Sequence, residues 1–288
     1  MVSTDDAMTG RVCLVTGASS GIGIEIVRGL ARRGAAVVMV ARDRERGEAA
    51  RDEIAQATGS GVVELAMCDL ASQLQVRELA AEMAQRHPVL HVLVHNAGLI
   101  LGARILTEDG IETTFAVNHL APFLLTRLLH GQLAAAGAAR VVTVASEAHR
   151  GAEIDFDDPS AERGYSSWRA YARSKLANIL FTRELARRTE GSGIVASCLH
   201  PGVVRSGFGR QGSLLVRAWF KLAGPLLVSA EKGADTAVWL ASAPEAEAAG
   251  AGYYIRRRPA RPSRAARDPE AARRLWRLSE RLTGLADG

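Results

Sequence analysis

Tyr171 and Lys175 stand four residues apart in Tyr171-Ala172-Arg173-Ser174-Lys175, a spacing that sets both on one face of a helix where they can touch the same small molecule. Composition draws attention to the lysine. Of 36 basic residues only Lys175, Lys221 and Lys232 are lysines, and asparagine is as scarce, at Asn96, Asn118 and Asn178. A chain so biased toward arginine, as a GC-rich genome produces, keeps lysine where arginine cannot serve. An ammonium can release a proton and a guanidinium effectively cannot, so Lys175 is a candidate for catalysis. The alternative is a surface lysine on a solvated helix face.

A second chemical feature is Gly17-Ala18-Ser19-Ser20-Gly21-Ile22-Gly23. It follows the apolar run Arg11 to Thr16 and opens a helical pattern with Ile22, Ile26 and Leu30 on one face, stopped at Gly34. A strand, a glycine turn and a helix N-terminus together present N–H groups and a positive dipole end to a phosphate. The spacing is not GxGxxG, because Ile26 stands where a third glycine would fall. Tight turns alone also need glycine, so the placement between strand and helix carries the argument.

Positioning these groups takes a regular alternation of elements. Ala36 to Ala41 reads as a second strand ending at Arg42-Asp43. An acidic side chain there suits the NAD ribose and a nearby arginine suits the 2′-phosphate of NADP, so Arg42 favours NADP while Asp43 behind it tempers the preference. Val62 to Met67 closes on Cys68-Asp69-Leu70, where Asp69 could bond an adenine amino group or cap the turn before a helix near Ser72. Leu90 to His95 leads into Asn96-Ala97-Gly98. A helix over about 110 to 129 contains Asn118 and Pro122, which predicts a disturbed hydrogen-bond ladder. Arg140 to Ala145 is a fifth strand with Ser146 at its carboxyl end, and Glu147 to Tyr165 is a polar loop. Ser166 or Ser167 can cap the helix of Tyr171 and Lys175, which runs to about Thr189. Ile194 to Leu199 is a sixth strand ending at His200-Pro201-Gly202. The expected fold is α/β: a single doubly wound Rossmann-type domain over 1–288, with a parallel sheet of about seven strands, helices on both faces and a helical C-terminal tail. Ligands then collect at the carboxyl ends of the strands.

Composition bounds the rest. Apolar content of 48% and mean hydropathy near zero suit a soluble globular core. The polar start lacks an apolar signal region, and no run reaches membrane-spanning length, so no transmembrane segment is expected. Cys13, Cys68 and Cys198 have no CxxC spacing and read as free thiols in a reducing cytoplasm. The seven histidines form no HExxH, and no metal is expected. The net charge of +5 sits in residues 256–288, where ten arginines face four acids, leaving a near-neutral body. A basic tail can bind polyanions, but no nucleic-acid motif accompanies it, so no nucleic-acid partner is expected.

Taken together, Thr16 to Gly23 (TGASSGIG), Asn96 to Gly98 (NAG), Ser146, Tyr171 to Lys175 (YARSK) and Pro201-Gly202 resemble the short-chain dehydrogenase/reductase family. ARDRERGEAA at 41–50, NHLAPFLLT at 118–126, the 25-residue gap from Ser146 to Tyr171, YARSKLANILFTREL at 171–185, HPGVVR at 200–205 and the ending ARDPEAARRLWRLSERLTGL at 266–285 are similar to its retinol dehydrogenase-like branch. The resemblance implies hydride transfer between a nicotinamide and a carbonyl or alcohol carbon. Tyr171 would exchange the hydroxyl proton. Lys175 would favour the phenolate and hold the nicotinamide ribose. Ser146 would donate to the substrate oxygen, and Asn118 would position a water. The cofactor-binding set is Gly17, Ser19, Ser20, Gly21, Ile22, Gly23, Arg42, Asp69, Leu70, Asn96, Ala97, Gly98, Tyr171, Lys175, Pro201, Gly202 and Val204. NADP(H) is the preferred cofactor. Relatives are often dimers or tetramers through helices at about 110 to 130 and 167 to 190, so a homodimer is a further expectation, although a packed tail could block one such surface.

Within the single domain, 10–200 reads as the cofactor-binding and catalytic core, 203–228 as a substrate lid and 256–288 as the basic tail. The lid holds SLLVRAWFKLAGPLLV at 213–228, which reads as a cover over an apolar carbonyl or alcohol substrate, with a membrane- or partner-binding helix or plain core packing as rivals. Two other functions stand beside the leading one: a C=C reductase of the protochlorophyllide reductase type, and a scaffold protein that binds cofactor without turnover.

Overall fold

Runs such as Ala36 to Ala41, rich in β-branched valine, suit a pleated surface buried on both faces. In the computed structural model, which describes residues 7–59, 62–204 and 227–285, they form strands of one sheet. The chain runs through β1 (Val12–Thr16), α1 (Gly21–Ala31), β2 (Ala36–Ala41), α2 (Arg44–Thr58), β3 (Val63–Met67), α3 (Gln73–Arg86) and β4 (Val92–His95). There follow α4 (Thr113–Phe115), a π-helical segment (Ala116–Leu120), α5 (Ala121–Leu128), α6 (His130–Ala135), β5 (Ala139–Val144), α7 (Ser167–Arg188) and β6 (Ile194–His200). The last elements are α8 (Ala230–Ser242), α9 (Pro244–Ala249), β7 (Gly252–Ile255), β8 (Arg258–Pro259) and α10 (Pro269–Leu282). Most of the expected lid, residues 205–226, lies outside the described residues.

The sheet order is β3-β2-β1-β4-β5-β6-β7-β8. Every pairing from β3 to β7 is parallel, so the doubly wound sheet of about seven strands is present, with β8 added antiparallel at its edge. The hairpin that adds it turns on Arg256 and Arg257, with φ of 51° and 60°. A two-residue turn with both φ positive normally takes Asn-Gly, so an arginine pair carries no turn signal. Arg257 is held there by an ion pair to Asp235 and by its N–H on Thr236 Oγ1 at 3.2 Å.

Alternate strand residues enter opposite layers. Cys13, Val15, Val37, Met39, Val92 and Val94 pack with Ile26, Leu30, Ile54 and the α8 residues Ala237 and Val238. Leu14, Val38, Val40 and Leu93 pack on the other face with Val76, Leu79, Phe123, Phe181 and Trp276. The three cysteines are buried free thiols.

The expected helix over 110 to 129 begins later, at Thr113, where both carboxylate oxygens of Glu112 accept the N–H groups of Thr114 and Phe115. Its disturbed ladder is real: the Ala121 N–H reaches back five residues to the Ala116 carbonyl. Pro122 has no N–H to give the Asn118 carbonyl four residues before it, which removes one α-helical bond from this turn. The expected serine cap of α7 is only positional. Ser166 is its N-cap residue but makes no side-chain bond, and Ser167 Oγ is buried without a partner among the described residues.

Candidate active site

The β1 and β4 ends are adjacent and the strand order diverges there, the point at which doubly wound sheets take their ligands. Here the glycine turn is locked to the Asn96 loop. Asn96 Nδ2 donates to the carbonyls of Thr16 and Gly17 at 2.9 and 3.0 Å. Thr16 Oγ1 receives the N–H groups of Asn96 and Ala97 at 3.1 and 3.2 Å. Gly23 is sterically required: a Cβ there would collide with the Gly17 carbonyl oxygen and lie 2.7 Å from Asn96 Nδ2.

The N-terminus of α1 is left open. Ser20, its N-cap residue, makes no side-chain cap bond, and no acid lies in the first turn. Among the described residues neither Ser20 nor an acid of the first turn occupies the N–H groups of Gly21, Ile22 and Gly23, which fits a phosphate. At the end of β2, Asp43 caps α2 by accepting the Arg46 N–H at 3.0 Å. Arg42 is largely exposed, 4.0 Å from the Asp69 carboxylate. The acid of the pair is therefore engaged locally and the cation faces outward. Asp69 also accepts the Ala71 N–H at 3.0 Å, the turn-capping alternative, and Leu70 packs into the core. Beyond β6, Pro201 and Gly202 lead to Val204, which bridges Val228.

The candidate proton-handling groups gather deeper. Tyr171 and Lys175 are 8% and 3% exposed and Asn118 is fully buried. The Ser146 side chain lies beside the Tyr171 hydroxyl. Burial pushes the Tyr171 phenol up to about 12, with Ser146 pulling the other way, and lowers Lys175 to about 8. The ammonium donates to the Val144 carbonyl at 2.8 Å and stands 5.7 Å from the Tyr171 ring centroid. At the phenol, burial outweighs the Ser146 interaction. Gly98 leaves a cradle beside it, since a Cβ would sit 3.3 Å from Lys175 Nζ and 3.5 Å from Asn118 Oδ1.

The Asn118 side chain is fully engaged. It accepts the Leu99 N–H at 2.8 Å and donates to the Leu99 carbonyl and Ser174 Oγ at 3.0 and 2.9 Å. It pins the loop after β4 to α7. Ile100 packs on Tyr171, and the half-exposed Trp168 lies 6.0 Å from its ring, so the tyrosine's neighbours on these sides are apolar.

Thr16, Ser174 and Leu99 organise the site and were absent from the expected set. Thr16 had a signal, a hydroxyl ending an apolar strand before the glycines. Ser174 and the Leu99 backbone had none.

The chain is similar to known proteins along nearly its whole length. Residues 11–213 match the family model of the short chain dehydrogenases. Retinol dehydrogenase 14 of Homo sapiens is 43% identical over 294 residues, covering 96% of this chain and 88% of the relative. A crystal structure of an uncharacterized protein from Mycobacterium Paratuberculosis is 36% identical, with TM-score 0.77 and coverage of 96% and 94% of the two chains. A metagenomic short-chain oxidoreductase in complex with NADP is 27% identical, with TM-score 0.62 and coverage of 82% and 92%. The chain belongs to the short chain dehydrogenase family and is an oxidoreductase. Within it, the sequence is retinol dehydrogenase-like.

Proposed function

We propose that the protein is an NADP(H)-dependent oxidoreductase that interconverts a carbonyl with a primary or secondary alcohol on an apolar small molecule. The observation that carries this reading is the buried Tyr171–Lys175 pair on α7, its ammonium 5.7 Å from the Tyr171 ring centroid and bonded to the Val144 carbonyl at the carboxyl end of β5, just before Ser146. NADP(H) would supply or accept the hydride. The uncapped α1 terminus would take its phosphates, Arg42 its 2′-phosphate, and Lys175 its nicotinamide ribose across the Gly98 cradle. A phenol held up at about 12 is protonated at neutral pH, the form that gives a proton to a carbonyl oxygen. Ser146 donates to that same oxygen and stabilises charge forming there. Ile100 and Trp168 favour an apolar substrate, as does the name of the retinol dehydrogenases, and the NADP of a structural neighbour supports the cofactor.

The test is NADPH oxidation over a panel of apolar aldehydes, ketones and quinones. Tyr171→Phe is expected to leave NADPH affinity unchanged and lower turnover by about 10²–10⁴-fold. Turnover retained in that variant would refute the assignment. Arg42→Ala is expected to weaken NADPH more than NADH, and an unchanged preference would remove Arg42 from the cofactor site.

A further inference from the structure

Ser146 is followed by a 3₁₀ turn, Glu147–His149, and each residue of the turn that could move it is tied to a different element. Glu147 gives its N–H to His200 Nδ1 at 3.3 Å and accepts the Tyr253 hydroxyl from β7 at 2.6 Å. His149 is fully buried. Its Nδ1 lies 2.6 Å from the Ser146 carbonyl, and its Nε2 accepts the Ser263 N–H at 3.1 Å. A carbonyl only accepts and a backbone N–H only donates, so both roles of the ring are determined: Nδ1 carries the proton and Nε2 the lone pair. The ring is therefore neutral and fully satisfied, packed edge-on against Tyr253 at 5.4 Å.

We propose that His149 is a positioning residue for Ser146, one that makes the segment after β8 part of the active site by tying the Ser263 backbone to the serine's own carbonyl. This rests on the reading of Ser146 as donor to the substrate oxygen. Ser146 Oγ accepts the Ala148 N–H at 3.1 Å, from the same turn that the imidazole closes. That bond occupies a lone pair and leaves the hydroxyl hydrogen, unused by the turn, to be given to the substrate oxygen when substrate is bound. Loosening the turn would turn the hydroxyl away, and a misplacement of about 1 Å at a reacting group costs up to about 10²-fold in rate. Neighbouring Arg150 donates to the Arg261 carbonyl at 3.0 Å, so the same tail segment is anchored twice.

Two amide replacements separate the halves of the imidazole. The Asn amide nitrogen of His149→Asn reaches the Nδ1 position and can donate to Ser146, whereas the longer amide of His149→Gln reaches the Nε2 position and can accept only from Ser263. His149→Asn is expected to keep kcat within about threefold and His149→Gln to lose about tenfold or more, with equal melting temperatures and unchanged KM for NADPH. Equal kcat losses in the two, or losses that track melting temperature, would overturn the inference. Imidazole NMR on isotope-labelled protein gives a readout independent of turnover: the His149 resonance, identified by its loss in His149→Asn, is expected to be the Nδ1–H tautomer, and an Nε2–H or protonated ring at neutral pH would also overturn it. Ser146→Ala is the control. If it turns over like the wild type, the reading of Ser146 itself has failed, whereas an inactive Ser146→Ala beside indistinguishable His149 variants refutes the positioning role alone.

Discussion

Lys175 shows how a single residue type is forced by its surroundings. Its ammonium sits between the Val144 carbonyl and the Gly98 cradle, almost without solvent, and burial brings its pKa down to about 8. A guanidinium is larger, planar and permanently charged, so in an arginine-rich chain it is the obvious replacement and the wrong one. Lys175→Arg is expected to leave the fold intact, seen as an unchanged far-UV spectrum, and to cut turnover by about 10²-fold or more. Wild-type turnover in the variant would mean that neither compactness nor proton release matters at this position. The Tyr171–Lys175 pair was legible because a four-residue spacing on a helix is a local property. The acidity of the pair was not, because it comes from burial by Ile100, Val144 and their neighbours, which the spacing does not encode.

At the level of elements, the glycine turn and the first turn of α1 act as one piece with the loop after β4. Asn96 is the pin, and Gly23 is what lets the pin enter. Gly23→Ala would push the turn off Asn96 and misplace the N–H groups at the start of α1. NADPH affinity, measured by fluorescence titration, is expected to fall about tenfold, equivalent to about 1.4 kcal/mol. Unchanged affinity would show that the turn relaxes without disturbing the terminus. The π-helical segment is the second such device. Its disturbed ladder could be anticipated from Asn118 and Pro122, but the partners of Asn118, Leu99 and Ser174, come from two other elements and had no mark in the local pattern.

Across the whole molecule the basic C-terminal segment is a structural layer. Trp276 on α10 stacks on Phe181 at 6.1 Å, meets Phe123 edge-on, and is covered by the Arg188 guanidinium at 4.4 Å. His119 in the π segment bonds Ser279 at 2.9 Å, and Arg127 on α5 pairs with Glu280 at 2.8 Å. Trp276→Ala is expected to cost about 3–5 kcal/mol in urea unfolding, and a loss below about 1 kcal/mol would show the tail to be dispensable. The same docking covers part of α5 and α7, the helices that the family resemblance assigned to dimer contacts. Acid should also loosen this interior. Burial lowers His95 and His119 to about 3, so both stay neutral in the fold while their unfolded forms take up a proton near pH 6.5. Their contribution is complete above pH 6.5 and lost as pH falls toward 3, at up to about 1.4 kcal/mol per pH unit for each. The melting temperature is thus expected to drop between pH 7 and pH 5, and a flat profile would contradict the neutral buried state.

Periodicity and short spacings were enough to read six of the parallel strands, the helix of Tyr171 and Lys175, and the glycine turn between β1 and α1, because each depends on residues within a few positions of one another. The β8 hairpin escaped, since Arg256 and Arg257 adopt a turn that their side chains do not advertise. The tail's charge was visible, but its docking on α7 depends on aromatic surfaces nearly a hundred residues apart in the chain. His149 lies furthest from legibility. It is one polar residue in a polar loop until folding brings Ser263, 114 positions away, to its far nitrogen. Which groups share a helix face follows from the backbone's period; which groups share a proton depends on burial and on contacts that exist only once the sheet, the loops and the tail have closed around them.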